Sequence, residues 1–296
     1  MKKGIIQSRG IGDIIIALPI AKHYHNKGYE IVWPICEEFL GSFEHTVPWV
    51  TWVGIKTDER GDYFLKEPMR VFKEHGIEQR EILYLYQYLN SHPELTNEEL
   101  FNILKFDQYK YWVAGVPFVN KWTLSECITR DLEREKSLLL ALGITGEYVV
   151  VHKTGSNFRV DIDVNWFGKD VQIIDVDDHL TDNVFDWIGV LEGARAFVGV
   201  DSSFANLVDC LNIDTDRYWI RRSPWDLTPV LGGTWKLLQS NLPYGDGKRI
   251  ELAAEVERKK RNANVQMFTQ VPFDMNKKGI PTSFLGALKD QKGSYR

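Results

Sequence analysis

Gly4-Ile5-Ile6-Gln7-Ser8-Arg9-Gly10-Ile11-Gly12-Asp13-Ile14-Ile15-Ile16-Ala17-Leu18-Pro19 is the stretch whose reading decides the fold. Gly4 to Gln7 reads as a short strand, Ser8 to Gly12 as a turn, and about Asp13 to His25 as a helix that stops ahead of Gly28, a C-cap residue. A strand that turns through glycine into a helix leaves free backbone N–H groups, here on Gly10 and Gly12, at the carboxyl edge of a sheet, where α/β proteins bind ligands. Asp13 stands where the helix begins, and two roles are open to it. It can cap the helix by accepting from the first turn, or it can aim a carboxylate into the crevice as a general base. The run is not Gly-x-Gly-x-x-Gly, because position 15 is Ile. Trp33-Pro34-Ile35 also fills the place where a ribose-binding acid would follow the second strand, so a nicotinamide oxidoreductase is disfavoured.

Working outward, the first half repeats the βα pattern of a parallel sheet. Strands are predicted at Tyr29–Trp33, Thr51–Ile55 and Glu81–Tyr86, and helices near Leu65–Glu74 and Asn97–Phe106. A long charged helix is predicted from Trp122 to Leu142, ending at Gly143, as the connector between domains. A second α/β unit then starts afresh, with strands at Tyr148–Val151, Val171–Val176 and Ala196–Val200 and helices at Asn183–Glu192 and Ser203–Leu211. Val184, Trp187, Ile188 and Leu191, and again Phe204, Leu207, Val208 and Leu211, keep the i, i+3, i+4, i+7 spacing of buried helix faces. A further helix is predicted near Ile250–Asn262, ahead of a polar tail. The expected architecture is α/β, with two Rossmann-like domains over 1–143 and 144–296.

Composition fits a folded chain of 296 residues, 44% hydrophobic and 26% charged. The longest apolar run, Ile14 to Ala21, contains Pro19 and falls far short of the roughly 20 residues that span a bilayer. No signal peptide is legible, so a cytoplasmic protein that is not integral to a membrane is expected. Cys36, Cys127 and Cys210 lie far apart with no Cys-x-x-Cys pair, which predicts buried free thiols. Net charge is −5 but uneven: Asp161 to Glu192 carries eight Asp and one Glu against one Lys, and Arg217 to Arg296 carries 15 Lys/Arg against seven Asp/Glu. Such asymmetry marks either a surface that meets an anion or an ordinary solvated one.

Two more segments carry chemistry. Val149-Val150-Val151-His152-Lys153-Thr154-Gly155-Ser156 runs from a strand into a polar loop, where Lys153 and the Thr154 and Ser156 hydroxyls can hold phosphate oxygens. An ordinary βα turn is the plainer alternative, and His152 reads as a turn or packing residue. In Phe197-Val198-Gly199-Val200-Asp201-Ser202-Ser203-Phe204-Ala205-Asn206 a buried strand delivers Asp201, Ser202 and Ser203 onto a helix N-terminus. That is both a cap and an anion site. No Gly-x-Ser-x-Gly elbow is present, which speaks against a nucleophilic serine. Asp161-Ile162-Asp163 has Asp-x-Asp spacing in a polar loop that reads as solvated surface.

Gly12-Asp13-Ile14-Ile15-Ile16-Ala17-Leu18-Pro19 resembles the opening motif of the heptosyltransferases, glycosyltransferase family nine. Val198 to Asn206 resembles that family's strand, Asp-Ser/Thr-Gly turn and helix, and the His152–Ser156 segment falls where its second domain starts. The resemblance implies the GT-B fold and metal-free, inverting transfer from a nucleotide-diphosphate sugar, which is a co-substrate, so no cofactor is expected. It makes Asp13 the base and Lys153, Thr154, Ser202 and Ser203 the holders of the donor diphosphate. Ser203 replaces the usual glycine and Asn206 stands at a common histidine position, so heptose is not carried over. The acceptor is a glycan or lipid-linked saccharide, or a hydroxymethylated base in DNA reached through Lys248, Arg249, Arg258–Arg261, Lys277, Lys278, Lys289 and Lys292. A non-catalytic nucleotide-sugar binding protein is the alternative from another class.

Overall fold

A computed structural model of the chain describes residues 1–56, 62–86, 89, 103–155, 159–160, 164–176, 180–221, 228–240 and 250–252. Strand β1 (Lys2–Ile6) leads through the glycine turn into helix α1 (Ile11–Asn26). β2 (Glu30–Cys36), α2 (Leu40–Phe43), β3 (Val50–Ile55), α3 (Glu67–Glu74) and β4 (Ile82–Tyr84) complete a four-stranded parallel sheet in the order β3-β2-β1-β4. Pro34 lies inside β2, yet it interrupts little. The ladder to β1 ends at Gly4↔Val32, and only the ladder to β3 runs on through Pro34↔Val53 to Cys36↔Ile55. A residue without an N–H is tolerated there because the ladder to β1 has already stopped short of it. Gly4 admits the ring of Phe72 from α3, which would lie 2.8 Å from any Cβ there.

Helix α4 (Phe106–Ala114) follows, and then the connector departs from expectation. In place of one helix from Trp122 to Leu142 there are two 3-10 turns, Phe118–Trp122 and Leu124–Glu126, and a separate α5 (Leu132–Ala141). The Asp131 side chain accepts from the backbone N–H of Arg134 at 3.1 Å, so an N-cap starts the helix ten residues late.

The second sheet comprises β5 (Tyr148–His152), β6 (Gln172–Asp175), β7 (Ala196–Val200), β8 (Asp216–Arg221), β9 (Trp235–Ser240) and β10 (Ile250–Leu252), in the order β10-β9-β8-β7-β5-β6. All pairings are parallel except β9 with β10. Helices α6 (Ile188–Gly193) and α7 (Ser203–Cys210) flank it, α6 entered through a 3-10 turn at Val184–Trp187. The helix expected at Ile250–Asn262 begins instead as β10. The Ile-Glu-Leu alternation there suits the open edge of β9, and pairing wins over the i, i+4 pattern. The rest of that helix, the basic tail and nearly all of the helix expected at Asn97–Phe106 lie outside the described residues.

α1 explains how the two sheets meet. Its buried run Ile14–Ala21 is apolar all round, because one side faces the first sheet and the other packs on α7. The largest core cluster therefore joins Ile5, Ile15 and Trp33 to Val150, Phe197 and Leu207 without a break. Cys36, Cys127 and Cys210 are buried and none is in a disulfide, and burial pushes the Cys127 thiol up to about 12. Among the described residues no helix is long and apolar enough to cross a membrane.

Candidate active site

In each sheet the strand order reverses at one point, between β1 and β4 in the first and between β5 and β7 in the second. Ligands of open α/β sheets bind outside the carboxyl ends of the strands at such switch points. The turn Gln7–Gly10 leaves the first and the segments after His152 and Val200 leave the second, so the three motifs singled out in the sequence occupy the two places where topology opens a crevice.

The first turn is held from several sides. Ser8 and Arg9 both donate backbone N–H groups to the Tyr86 hydroxyl, each at 3.0 Å, from beyond the end of β4. Trp33 Nε1 donates to the Gln7 carbonyl at 3.0 Å, and Cys36 N–H donates to the Ser8 carbonyl at 2.9 Å. Gly10 is the N-cap of α1 with φ 86°, a left-handed conformation in which a side chain is strained. A Cβ there would also press on Asp13 Oδ2 at 2.9 Å. Asp13 is thus not the cap. It lies in the first helical turn, favoured by the positive end of the helix, and its carboxylate is 41% exposed.

Asp13 Oδ1 lies 3.0 Å from the ammonium of Lys110, a side chain only 5% exposed that reaches over from α4. The same ammonium donates to Gln7 Oε1 at 2.5 Å and sits 5.8 Å from the centre of the Tyr86 ring. Sequence reading missed Lys110, Gln7 and Tyr86. The available signal was weak: a lysine within the aromatic run Tyr109-Lys110-Tyr111-Trp112 of a helix that proves buried on most sides.

On the facing sheet Ser202 is the N-cap of α7, and its hydroxyl accepts from Ala205 N–H at 3.3 Å. His152 Nδ1 lies 2.8 Å from the same oxygen, and the imidazole packs on the Phe204 ring at 4.7 Å. His152 therefore joins β5 to the start of α7, a role that packing alone did not suggest. Lys153, 20% exposed, pairs with Asp175 of β6 at 2.9 Å. Thr154 forms an isolated bridge with Arg159, and Asp201, Ser202 and Ser203 are half-buried in a row. Ser156, Asp161 and Asp163 lie outside the described residues. Among the described residues no group of three His, Cys, Asp or Glu side chains could hold a metal ion.

The two helix starts meet. A Cβ on Gly12 would fall 2.7 Å from Asn206 Nδ2 and 3.3 Å from Ser203 Cα, so α1 and α7 touch where Gly12 has no side chain. Gly12 serves that close approach. Two positive helix ends are thereby brought to one crevice, which favours an anion there. Two buried polar atoms flank it, Ser8 Oγ and Asn206 Oδ1, neither with a hydrogen-bond partner among the described residues.

By sequence, no protein-family model and no curated protein matches this chain. Its architecture, however, matches solved structures along nearly the whole length. ADP-heptose LPS heptosyltransferase II of Escherichia coli aligns with a TM-score of 0.53 and 11% identity over 99% of this chain and 100% of that one. A family 9 glycosyl transferase from Veillonella parvula aligns at 0.52 and 9% over 98% and 96%. The chain has the heptosyltransferase-like fold of glycosyltransferase family nine, the GT-B arrangement of two Rossmann-like units, as the opening motif implied.

Proposed function

We propose that the chain is a glycosyltransferase that moves a sugar from a nucleotide-diphosphate donor to an acceptor hydroxyl, inverting the anomeric carbon and using no metal. One observation carries the reading: the half-exposed Asp13 carboxylate and the N-terminus of α7 are brought to a common crevice by the touching of Gly12 and Ser203. Displacement needs those two things on opposite sides of one sugar. Asp13 takes the proton of the acceptor hydroxyl as that oxygen attacks the anomeric carbon. The bond from carbon to diphosphate breaks, and the departing negative charge falls to the backbone N–H groups of α7, the Ser202 and Ser203 hydroxyls, Thr154 and Lys153. Lys153 already pairs with Asp175, so a diphosphate would share or displace that partner.

The acceptor we favour is a glycan hydroxyl; a hydroxymethylated base in DNA is the competing case, motivated by the basic residues after Arg217. The test is a thermal-shift panel of nucleotide diphosphates and their sugars. A true donor stabilises the native state by mass action, and each hit is then assayed for transfer to saccharides and to hydroxymethylated duplex DNA at two salt concentrations. Transfer to saccharide that persists in EDTA is expected. Reversible loss on chelation would overturn the metal-free mechanism, and salt-sensitive transfer to DNA would overturn the glycan acceptor. Stabilisation by a donor without transfer to any acceptor would favour a binding protein.

A further inference from the structure

We infer that Lys110 is the positioning residue of the site, fixing the Asp13 carboxylate by one oxygen and leaving the other to meet the acceptor; this rests on the glycosyltransferase reading. A buried ammonium needs compensation, and Lys110 finds it in two groups only a few residues apart in sequence, Gln7 Oε1 and Asp13 Oδ1. Gln7 belongs to the β1–α1 turn and Asp13 to the first turn of α1, while Lys110 sits on α4, about a hundred residues away. The lysine thus staples the catalytic turn from outside, and the pairing is unequal. Its own side chain is sealed, whereas the carboxylate it holds is open to the crevice. Oδ1 is occupied by the ammonium, and Oδ2 lies beside Gly10, where the lack of a Cβ leaves it room.

Other charged or titratable groups around Asp13 are turned elsewhere. Arg9 lies over the Tyr63 ring and 3.9 Å from Glu38. The Tyr86 hydroxyl accepts from Ser8 and Arg9. Across the crevice α7 presents Ser203 and Asn206, which carry no charge, and His152 is held on Ser202. Among the described residues Lys110 is therefore the cation that holds Asp13, and the gain lies in orientation.

The test compares Lys110→Met, Lys110→Gln and Lys110→Arg with wild type, using the donor found by thermal shift. Gln retains hydrogen bonding to the turn without the charge, so it serves if Met fails to fold. We expect kcat to fall about 10- to 100-fold with donor KM nearly unchanged, since bond-making groups are misplaced while donor contacts stay. Arg, which returns a charged donor to the turn, should restore kcat in part. Wild-type kcat in the folded uncharged variants would overturn the inference, as would a fall in kcat that merely tracks the folded fraction or a donor KM that rises in step with it. The carbon-13 chemical shift of the Asp13 carboxyl at one fixed pH supplies a readout of the contact that does not require turnover. It should move in Lys110→Gln, and an unmoved signal would overturn the inference even if the wild type transferred no sugar; a moved signal in a protein without turnover would leave the pairing standing and sink only the function.

Discussion

Two lysines eleven positions apart divide the molecule's two kinds of buried charge. Lys121, at the 3-10 turn after α4, is fully buried between Asp107 and Asp209, with both carboxylates at 2.9 Å and also without exposure. It donates to the Val230 carbonyl at 2.5 Å as well. Three further donors close the cluster. Val230 N–H reaches Asp107, while Gly232 N–H and Trp235 Nε1 reach Asp209 at 2.8 and 3.0 Å. Since Asp107 lies on α4 and Asp209 on α7, this triad locks the segment after the first sheet to the second. Lys110 shares α4 with Asp107 yet does the opposite: it holds a carboxylate that remains open. A buried lysine is thus ambiguous by itself. What separates a lock from a site is whether its carboxylate partner is sealed or faces the crevice.

The comparison breaks most visibly at the lock. Lys121→Met should cost about 3–5 kcal/mol in urea unfolding, because it strands two buried carboxylates. Adding Asp209→Asn should recover part of that loss, and a single mutant as stable as wild type would show that the triad holds nothing. The pH dependence follows in sign. Burial alone would push the Lys121 ammonium down, but Asp107 and Asp209 overcome it and hold the group well above its ordinary value. A raised ammonium contributes its stabilisation fully below the unfolded lysine value of about 10.4 and loses it only as pH climbs towards the native one. Lys121→Met should therefore show the same deficit at pH 6 and pH 9, and a deficit that vanished by pH 9 would contradict the pairing.

At the open carboxylate the expected pattern reverses. Asp13→Asn should reduce transfer about 10²- to 10⁴-fold, the range of a general base, with donor binding kept; its cost in unfolding should be smaller than that of Lys121→Met, because the amide oxygen can still accept from Lys110 and the site is open to water. Near wild-type turnover would leave Asp13 a structural first-turn residue. At the junction of the two regions, Gly12→Ala should cost about 1–3 kcal/mol, since its Cβ meets Ser203 backbone, whereas Gly41→Ala, where a Cβ meets nothing, should be neutral or better. Equal effects at the two glycines would mean that α1 and α7 do not touch as described. The smallest changes belong to the donor side. Ser202→Ala should cost about 1 kcal/mol of stability as a lost cap, and both it and Lys153→Ala should weaken donor affinity by about 1–3 kcal/mol in titration calorimetry. Unchanged affinity in both would move the diphosphate elsewhere.

Much of the fold was legible because local chemistry and tertiary position agreed. β1, the glycine turn and α1 came from a strand, a turn and an eight-residue apolar run that no other element could use. β7 and α7 followed from Phe197–Val200 and the Ser202 cap in the same way. Reading failed where two local signals competed. The Trp122–Leu142 stretch is charged and leucine-bearing enough for one helix, yet the Asp131 cap outweighs that continuity. Ile250–Leu252 carries both a helical charge pattern and strand alternation, and only the vacant edge of β9 decides between them.

The candidate site divides along the same line. Asp13, Ser202 and Lys153 could be named from sequence because each sits within a few residues of a strand end, and strand ends at a sheet's carboxyl edge are readable one motif at a time. The sequence by itself thus determined the two α/β units, their glycine turn and cap, and the residue types offered at each crevice edge. Tertiary structure alone decided which edges face each other, that Gly12 makes room for Ser203, that His152 grips Ser202, and that Lys110 pairs with an open carboxylate while Lys121 seals a core. Those contacts join residues some fifty to two hundred positions apart, and no local pattern encodes a partner that only packing brings within 3 Å.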